Sequence, residues 1–394
     1  MRRLLAGGSR ALAIGLAVLS IVIGPAGVGA KSVAQSVDVG STPSRSFVYT
    51  IANPEGPNAI AAYERNPETG ELIFLGVYPT GGRGAGRLVD SQSPLVASAD
   101  GRLLFAINAG SDDISVLATR EDGSLEPVGP PVPSRGVAPA SLALGNNFLF
   151  VANKGDAVNP PNYSSFVVDE RDGMLTRIKR RIILAIGDNP THVVLNREGT
   201  TLIGVRFGSG GIDSFLVSPR GKLAQIASLN NQRGPFAAVF DPVAGDQVLV
   251  ADARLPGAAL YRVSSDGSLS ARAAVSNAPE RAACWIVAHP DGSRVWVSNT
   301  GTNSLSLYAI GAGGALSLEG THSTAAFGRT PFEIALDSGG DFLYQLNIGA
   351  GRPNIHALRL TGGTTDAGLV DVGATDLPAG SSPIGLVVTT RHGG

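Results

Sequence analysis

The 394-residue chain has one cysteine, Cys284, two methionines and two tryptophans, and only 16% of it is charged. A single cysteine excludes an intramolecular disulfide, so stability has to come from core burial. With 43% hydrophobic residues the chain can build a large core, which excludes disorder over most of its length. A surplus of positive charge is missing too: 31 basic residues against 32 acidic ones leave a net charge of -1. Such a chain lacks the field that phosphate-backbone binding requires, and no nucleic-acid partner is expected. The five histidines, His192, His289, His322, His356 and His392, show no metal-ligand spacing, so neither a metal nor a cofactor is expected. In excess are 52 Gly and 25 Pro, about a fifth of the chain, which disfavours helical bundles and coiled coils.

The start has the layout of a secretory signal. Basic residues from Arg2 to Arg10 precede an apolar run, Ala11 to Ile23, and the helix breakers Gly24 and Pro25. Val28 and Ala30 put small residues where cleavage is directed, so the mature chain is expected to begin at Lys31. The apolar run is shorter than the about 20 residues of a spanning helix. The mature protein is therefore expected to be exported, periplasmic or extracellular, without membrane insertion and monomeric. Residues 31–45 lack periodicity and read as a flexible leader, and 391–394 as a tail.

Between them a two-part phrase recurs seven times. Its first part is a short apolar strand: FVYTIAN, LLFAIN, FLFVAN, LIGVR, VLVAD, VWVSN and FLYQLN, ending at Asn53, Asn108, Asn153, Arg206, Asp252, Asn299 and Asn347. The average spacing of about 49 residues is that of a four-stranded propeller blade. Its second part is an alternating strand that closes on a Gly-containing turn, as at Asp122-Gly123, Asp172-Gly173 and Asp266-Gly267, where the positive backbone angle of a tight hairpin is needed. A further strand opens six of the units. The seventh copy appears at the C-terminus as PIGLVV, Pro383 to Val388, where it can complete the first blade and close the ring. The predicted fold is all-β, a seven-bladed propeller over 46–390 whose C-terminal strand lies in the N-terminal blade. The Gly-rich stretch Gly81 to Gly86 reads as a loop between blades, and it lacks the Lys and Ser/Thr of a phosphate-gripping loop.

These repeats resemble the lactonase family of seven-bladed propellers, which includes bacterial 6-phosphogluconolactonase and fungal carboxymuconate cyclase, and also surface-layer propellers. The resemblance runs from about Ser46 to Thr390 and is strongest over VWVSNTGTNSLSLY, Val295 to Tyr308. It implies a small anionic lactone or sugar acid as ligand, with lactone hydrolysis or cycloisomerisation as the reaction. It also places the family's active His on Thr191 and an arginine on Phe236, whose recurring Pro-Phe pair suggests repeat packing. The family's carboxylate falls at or next to Asp252, and a second arginine is replaced by Thr300. Most of the family's catalytic side chains are thus substituted.

Opening a lactone requires a base and a donor for the developing oxyanion. Asp252 is the catalytic candidate. Arg233, Arg281 and Arg329 share one repeat position and could clamp an anion on one mouth of the tunnel, or bridge adjacent blades through backbone carbonyls. Asn108, Asn153, Asn299 and Asn347 recur at strand ends on the same mouth, as ligand donors or as loop caps. Cys284 reads as a small core residue. The run Arg177, Lys179, Arg180, Arg181 falls on an outer strand, where charges discourage edge pairing. The alternative to an enzyme is a non-catalytic propeller that binds a ligand, glycan or protein in the cell envelope.

Overall fold

The computed structural model describes residues 45–391 except Glu170, Gln232 and Ala350. The signal, nearly all of the leader and His392 lie outside these residues. The described residues form seven antiparallel sheets, each with four strands in simple up-and-down order, and two of them carry a short extra outer strand. The inner strands of blades two to seven begin at Leu95, Pro139, Pro190, Pro235, Ala283 and Thr330. Blade one takes its inner strand, Ile384–Arg391, from the C-terminus. That strand pairs antiparallel with Arg45–Ile51, Val48 opposite Val388 and Tyr49 opposite Val387. Pairing reaches Arg45 and Arg391, one residue beyond the predicted propeller at each end. Adjacent inner strands touch all the way round the ring, which leaves no open edge at the axis between first and last blade.

Sheet faces pack against neighbouring sheets, so both faces of the second strands are buried, as in LLFAIN and FLFVAN. The hairpin turns lock one blade to the next. Gly123, at φ +83°, lies so close to blade one that an added Cβ would stand 2.4 Å from the Phe47 ring, while its carbonyl accepts the Tyr49 hydroxyl at 3.1 Å. This glycine answers both to its backbone angle and to the close approach.

The stretch Gly81 to Ala85 is not a loop, contrary to the sequence reading. It extends the outer strand of blade one, Leu72–Ala85, with Gly84 opposite Gly56 and Arg83 opposite Pro57. Asn53 holds its end by accepting the Ala85 N–H at 2.8 Å, and the absence of a side chain at Gly84 lets the strand pass 2.3 Å, measured from an added Cβ, from the Pro54 carbonyl.

Candidate functional site

Antiparallel order brings the starts of the inner strands and the ends of the second strands to one face of the propeller. At this face six blades carry a β-bulge at the start of the inner strand. A bulge leaves its extra residue unpaired and re-aims its side chain. The bulged residues include Thr191, Phe236, Cys284, Trp285 and Phe332, and all five line one cavity of about 510 Å³. Residues just past the second strands, among them Phe207, Ala253, Arg254 and Thr300, complete the wall.

The cavity is strongly aromatic on one side. Phe207, Phe236, Trp285 and Phe332 form a continuous arc through blades four to seven, with successive ring centroids 6.1, 4.9 and 4.1 Å apart. Phe236 therefore does more than pack the repeat: it belongs to the wall. The charged residues of the lining are Asp90, which is exposed, and Arg254. Arg254 is held over the Phe207 ring at 4.5 Å and donates to the Phe207 carbonyl at 2.8 Å, so it ties blade five to blade four. Behind Asp90, Lys154 donates from Nζ to the Asp90 carbonyl at 2.5 Å, and burial brings its ammonium pKa down to about 8. Burial pushes the Cys284 thiol up to about 12, so this residue contributes to the wall as a neutral thiol.

A single segment next to Asp90 ties the inner strands together. Between blades one and two, Ser91, Gln92 and Ser93 satisfy the inner strands of four other blades. Ser91 donates to the Ala140 carbonyl at 2.7 Å and accepts the Trp285 indole N–H at 2.8 Å. The Gln92 carboxamide acts like a peptide group, accepting the Ile286 N–H and donating to the Ile286 carbonyl, both at 2.9 Å. Its own backbone N–H reaches the Thr191 carbonyl at 3.1 Å, and the Ser93 N–H reaches Glu333 Oε1 at 2.9 Å. Inner strands of a propeller leave backbone groups unpaired along the axis, and this plug satisfies them. His192 is buried on the flank of the plug: the Ala238 N–H donates to Nδ1 at 3.1 Å, which puts the ring proton on Nε2, 3.3 Å from Ser93 Oγ. Burial lowers its pKa to about 3, so the ring stays neutral and donates to Ser93.

The predicted site residues surround this cavity without lining it. Asp252 is fully buried and paired with Arg233, Nε to Oδ2 2.6 Å, and it also accepts from Asn231 at 3.2 Å. Burial pushes its pKa up despite the guanidinium. Arg233 donates to the Leu255 carbonyl at 3.3 Å and Arg281 to the Gly301 carbonyl at 3.2 Å. Arg329 lies beside Gly351, whose added Cβ would stand 3.0 Å from Nη1. Arg233 and Arg281 thus each donate to a loop carbonyl of their own blade. The asparagines act as caps: Asn108 donates to Asp113 at 2.6 Å and Ser115 at 2.7 Å, and Asn299 to Ser304 at 3.0 Å and Ser306 at 2.9 Å. Asn153 donates to Asn162 at 3.2 Å, and Asn347 to the Gln345 carbonyl at 3.2 Å. All four asparagines are fully buried. Sequence reasoning missed Asp90 and Arg254. Arg254 had a usable signal, since it stands two positions past a second strand, in the slot of Gly301 in blade six. Among the described residues, no three His, Cys, Asp or Glu side chains converge as a metal-holding group.

Fold and cavity together define a seven-bladed propeller with a pocket at the inner-strand ends on one face. The family described as lactonase, seven-bladed β-propeller, matches residues 41–185 and 258–352, and the chain belongs to it. It is 30% identical over 90 residues to the 6-phosphogluconolactonase of Bacillus subtilis, a match that spans 22% of this chain and 23% of that relative. Among solved structures, the periplasmic gluconolactonase of Pseudomonas aeruginosa superposes with a TM-score of 0.69 at 18% identity, covering 89% of this chain and 99% of that one. A Lactobacillus plantarum protein superposes with a TM-score of 0.69 at 19% identity, covering 88% and 100%. At these identities the superpositions speak for the fold.

Proposed function

We propose that this exported propeller binds a small lactone or sugar acid in the axial cavity and opens the lactone with water. The observation that carries the reading is the cavity itself: on a lactonase-family propeller, an aromatic wall is joined by one carboxylate, Asp90, and one guanidinium, Arg254. Aromatic rings suit the apolar face of a sugar-derived ring, and the hydroxyls of Thr191, Thr300 and Thr330 suit its polar edge. Asp90 takes a proton from the attacking water, whose oxygen bonds to the lactone carbonyl carbon. Arg254 holds the resulting oxyanion, and the ring oxygen leaves with that proton to give the hydroxy acid. Export is supported by the signal-like start, and sequencing the secreted protein from Lys31 would test it.

The test of the reaction is lactone opening by a panel of sugar-acid lactones. Asp90→Asn is expected to lower kcat by about 100-fold or more with binding retained, whereas Arg254→Met lowers both. Unchanged turnover in Asp90→Asn sinks the assignment. A second reading, binding without turnover, is favoured by Thr191. At the position of the family's active His stands a fully buried hydroxyl that donates at 2.5 Å to the Phe236 carbonyl and, unlike an imidazole, is too weak a base to take a proton from water. Saturable binding of a sugar acid with no lactone opened would establish it.

A further inference from the structure

Blade three carries a feature that the cavity does not use. From Gly173 to Gly187 the chain has no acidic residue, and it holds Arg177, Lys179, Arg180 and Arg181, all exposed. The fold adds a fifth cation from a different segment. Arg135 donates to the Lys179 carbonyl at 2.7 Å and to that of Ile178, and Arg181 in turn donates to the Arg135 carbonyl. Among the described residues none of the five forms an ion pair; the pair Arg171 with Asp169 lies on the hairpin at the far end of the same edge. Burial and the like charges of Arg181 and Arg177 lower the Arg135 pKa, and its backbone sits at φ +71°. Holding like charges together and a non-glycine residue at that angle both cost stability.

Guarding the outer edge needs less. The run does split the outer strand into Leu175–Arg177 and Ile182–Ile183, but one or two charges achieve that. The gathered cations border a groove of about 420 Å³ lined by Arg135, Arg181, Asn159, Pro160 and Ile183, with one carboxylate, Asp112, in the lining and a second, Asp156, exposed beside Val158, so five cations stand against two carboxylates. Apolar side chains stand exposed among them: Ile183 at 54%, Ile186 at 58% and Val158, next to Asn159, at 81%. On a protein with a net charge of -1, this corner concentrates positive charge.

We propose that this corner of blade three is a peripheral docking surface for an anionic phospholipid membrane. The cations pair with headgroup phosphates, while Val158, Ile183 and Ile186 enter the interface between headgroups and acyl chains. The apolar members decide between a membrane and a soluble polyanion, since a polyanion offers them nothing. Residues 184–189 lead from this corner to Asn189 on the cavity wall, so docking would hold the cavity mouth close to the lipid surface.

The experiment is co-sedimentation of the purified mature protein with phosphatidylcholine vesicles, with and without phosphatidylglycerol. Binding to the mixed vesicles alone is expected, and it should fall as salt shortens the screening length from ~10 to ~3 Å. Lys179→Glu/Arg180→Glu is expected to weaken it by about 25-fold or more, at roughly fivefold per basic residue. Ile183→Ser/Ile186→Ser should also weaken it, with circular dichroism unchanged in both variants. Equal binding to both vesicle types, no binding to either, or no effect of the charge reversal would overturn the proposal. So would binding of polyphosphate and mixed vesicles that the isoleucine substitutions leave unaltered, which would identify a polyanion site instead.

Discussion

The last residue of each second strand shows one repeat slot filled by different chemistry. Asn108 and Asn299 cap their loops through neutral amides, whereas blade four has Arg206 paired with Asp213 at 2.7 Å and Asp188 at 2.8 Å. Blade five reverses the sign, with Asp252 held by Arg233. In blades two, four and six this side chain spans the turn to the third strand, and in blade five it holds the segment ahead of the inner strand. Asp252 therefore belongs to stability: Asp252→Ala is expected to lower unfolding free energy by about 2–4 kcal/mol, because it strands a largely buried guanidinium. Urea unfolding checks the loss, and isothermal titration with a sugar acid should show unchanged affinity. Reduced affinity at unchanged stability would return Asp252 to the ligand site.

At the scale of elements, the bulges convert a repeated strand into a lined cavity, and the Ser91 to Ser93 plug ties the inner strands together. Glu333 connects the two: it sits in the bulge of blade seven and its Oε1 accepts the Ser93 N–H, while its Oε2 is buried without a hydrogen-bond partner. Gly385, at φ +73°, occupies the bulge of blade one, where that angle favours glycine. Burial pushes Glu333 up to about 8 from an ordinary 4.5. Between those values the folded protein retains a proton that the unfolded chain gives up, so stability falls as pH rises from 4.5 to 8 and levels off above it. The slope is at most about 1.4 kcal/mol per pH unit. Glu333→Gln, which cannot ionise, should melt progressively higher than the parent protein as pH is raised through this window. Parallel melting curves at pH 5 and 8 would exclude ionisation of Glu333 as a source of instability.

For the molecule as a whole, ring closure depends on the C-terminal strand. Without Ile384–Arg391, Arg45–Ile51 becomes an open inner edge and Tyr49 and Ile51 lose their cover. A chain ending at Ala379 is expected to lose cooperative thermal unfolding and to aggregate on size exclusion. A soluble monomer with a cooperative melt would show that six complete blades suffice.

Blade count, strand order and the pairing of the C-terminal strand in the first blade were legible in the chain itself, because a propeller repeats one local pattern: apolar alternation, an Asp-Gly turn and a spacing of about 49 residues. The asparagines were legible as recurrent polar strand ends, whereas their burial and bonding partners appear only in the folded ring. Asp90 and the axial plug carry no repeat signature, and Arg254 shares a repeat slot but not its residue type. Gln92 meets Ile286 across 194 positions of chain, and Glu333 meets Ser93 across 240. Local sequence determined the blades, since hydrogen bonds and alternation act between near neighbours. Which side chains face the axis was decided by the closed ring, where unpaired inner edges and one-residue bulges take their partners from blades distant in the chain.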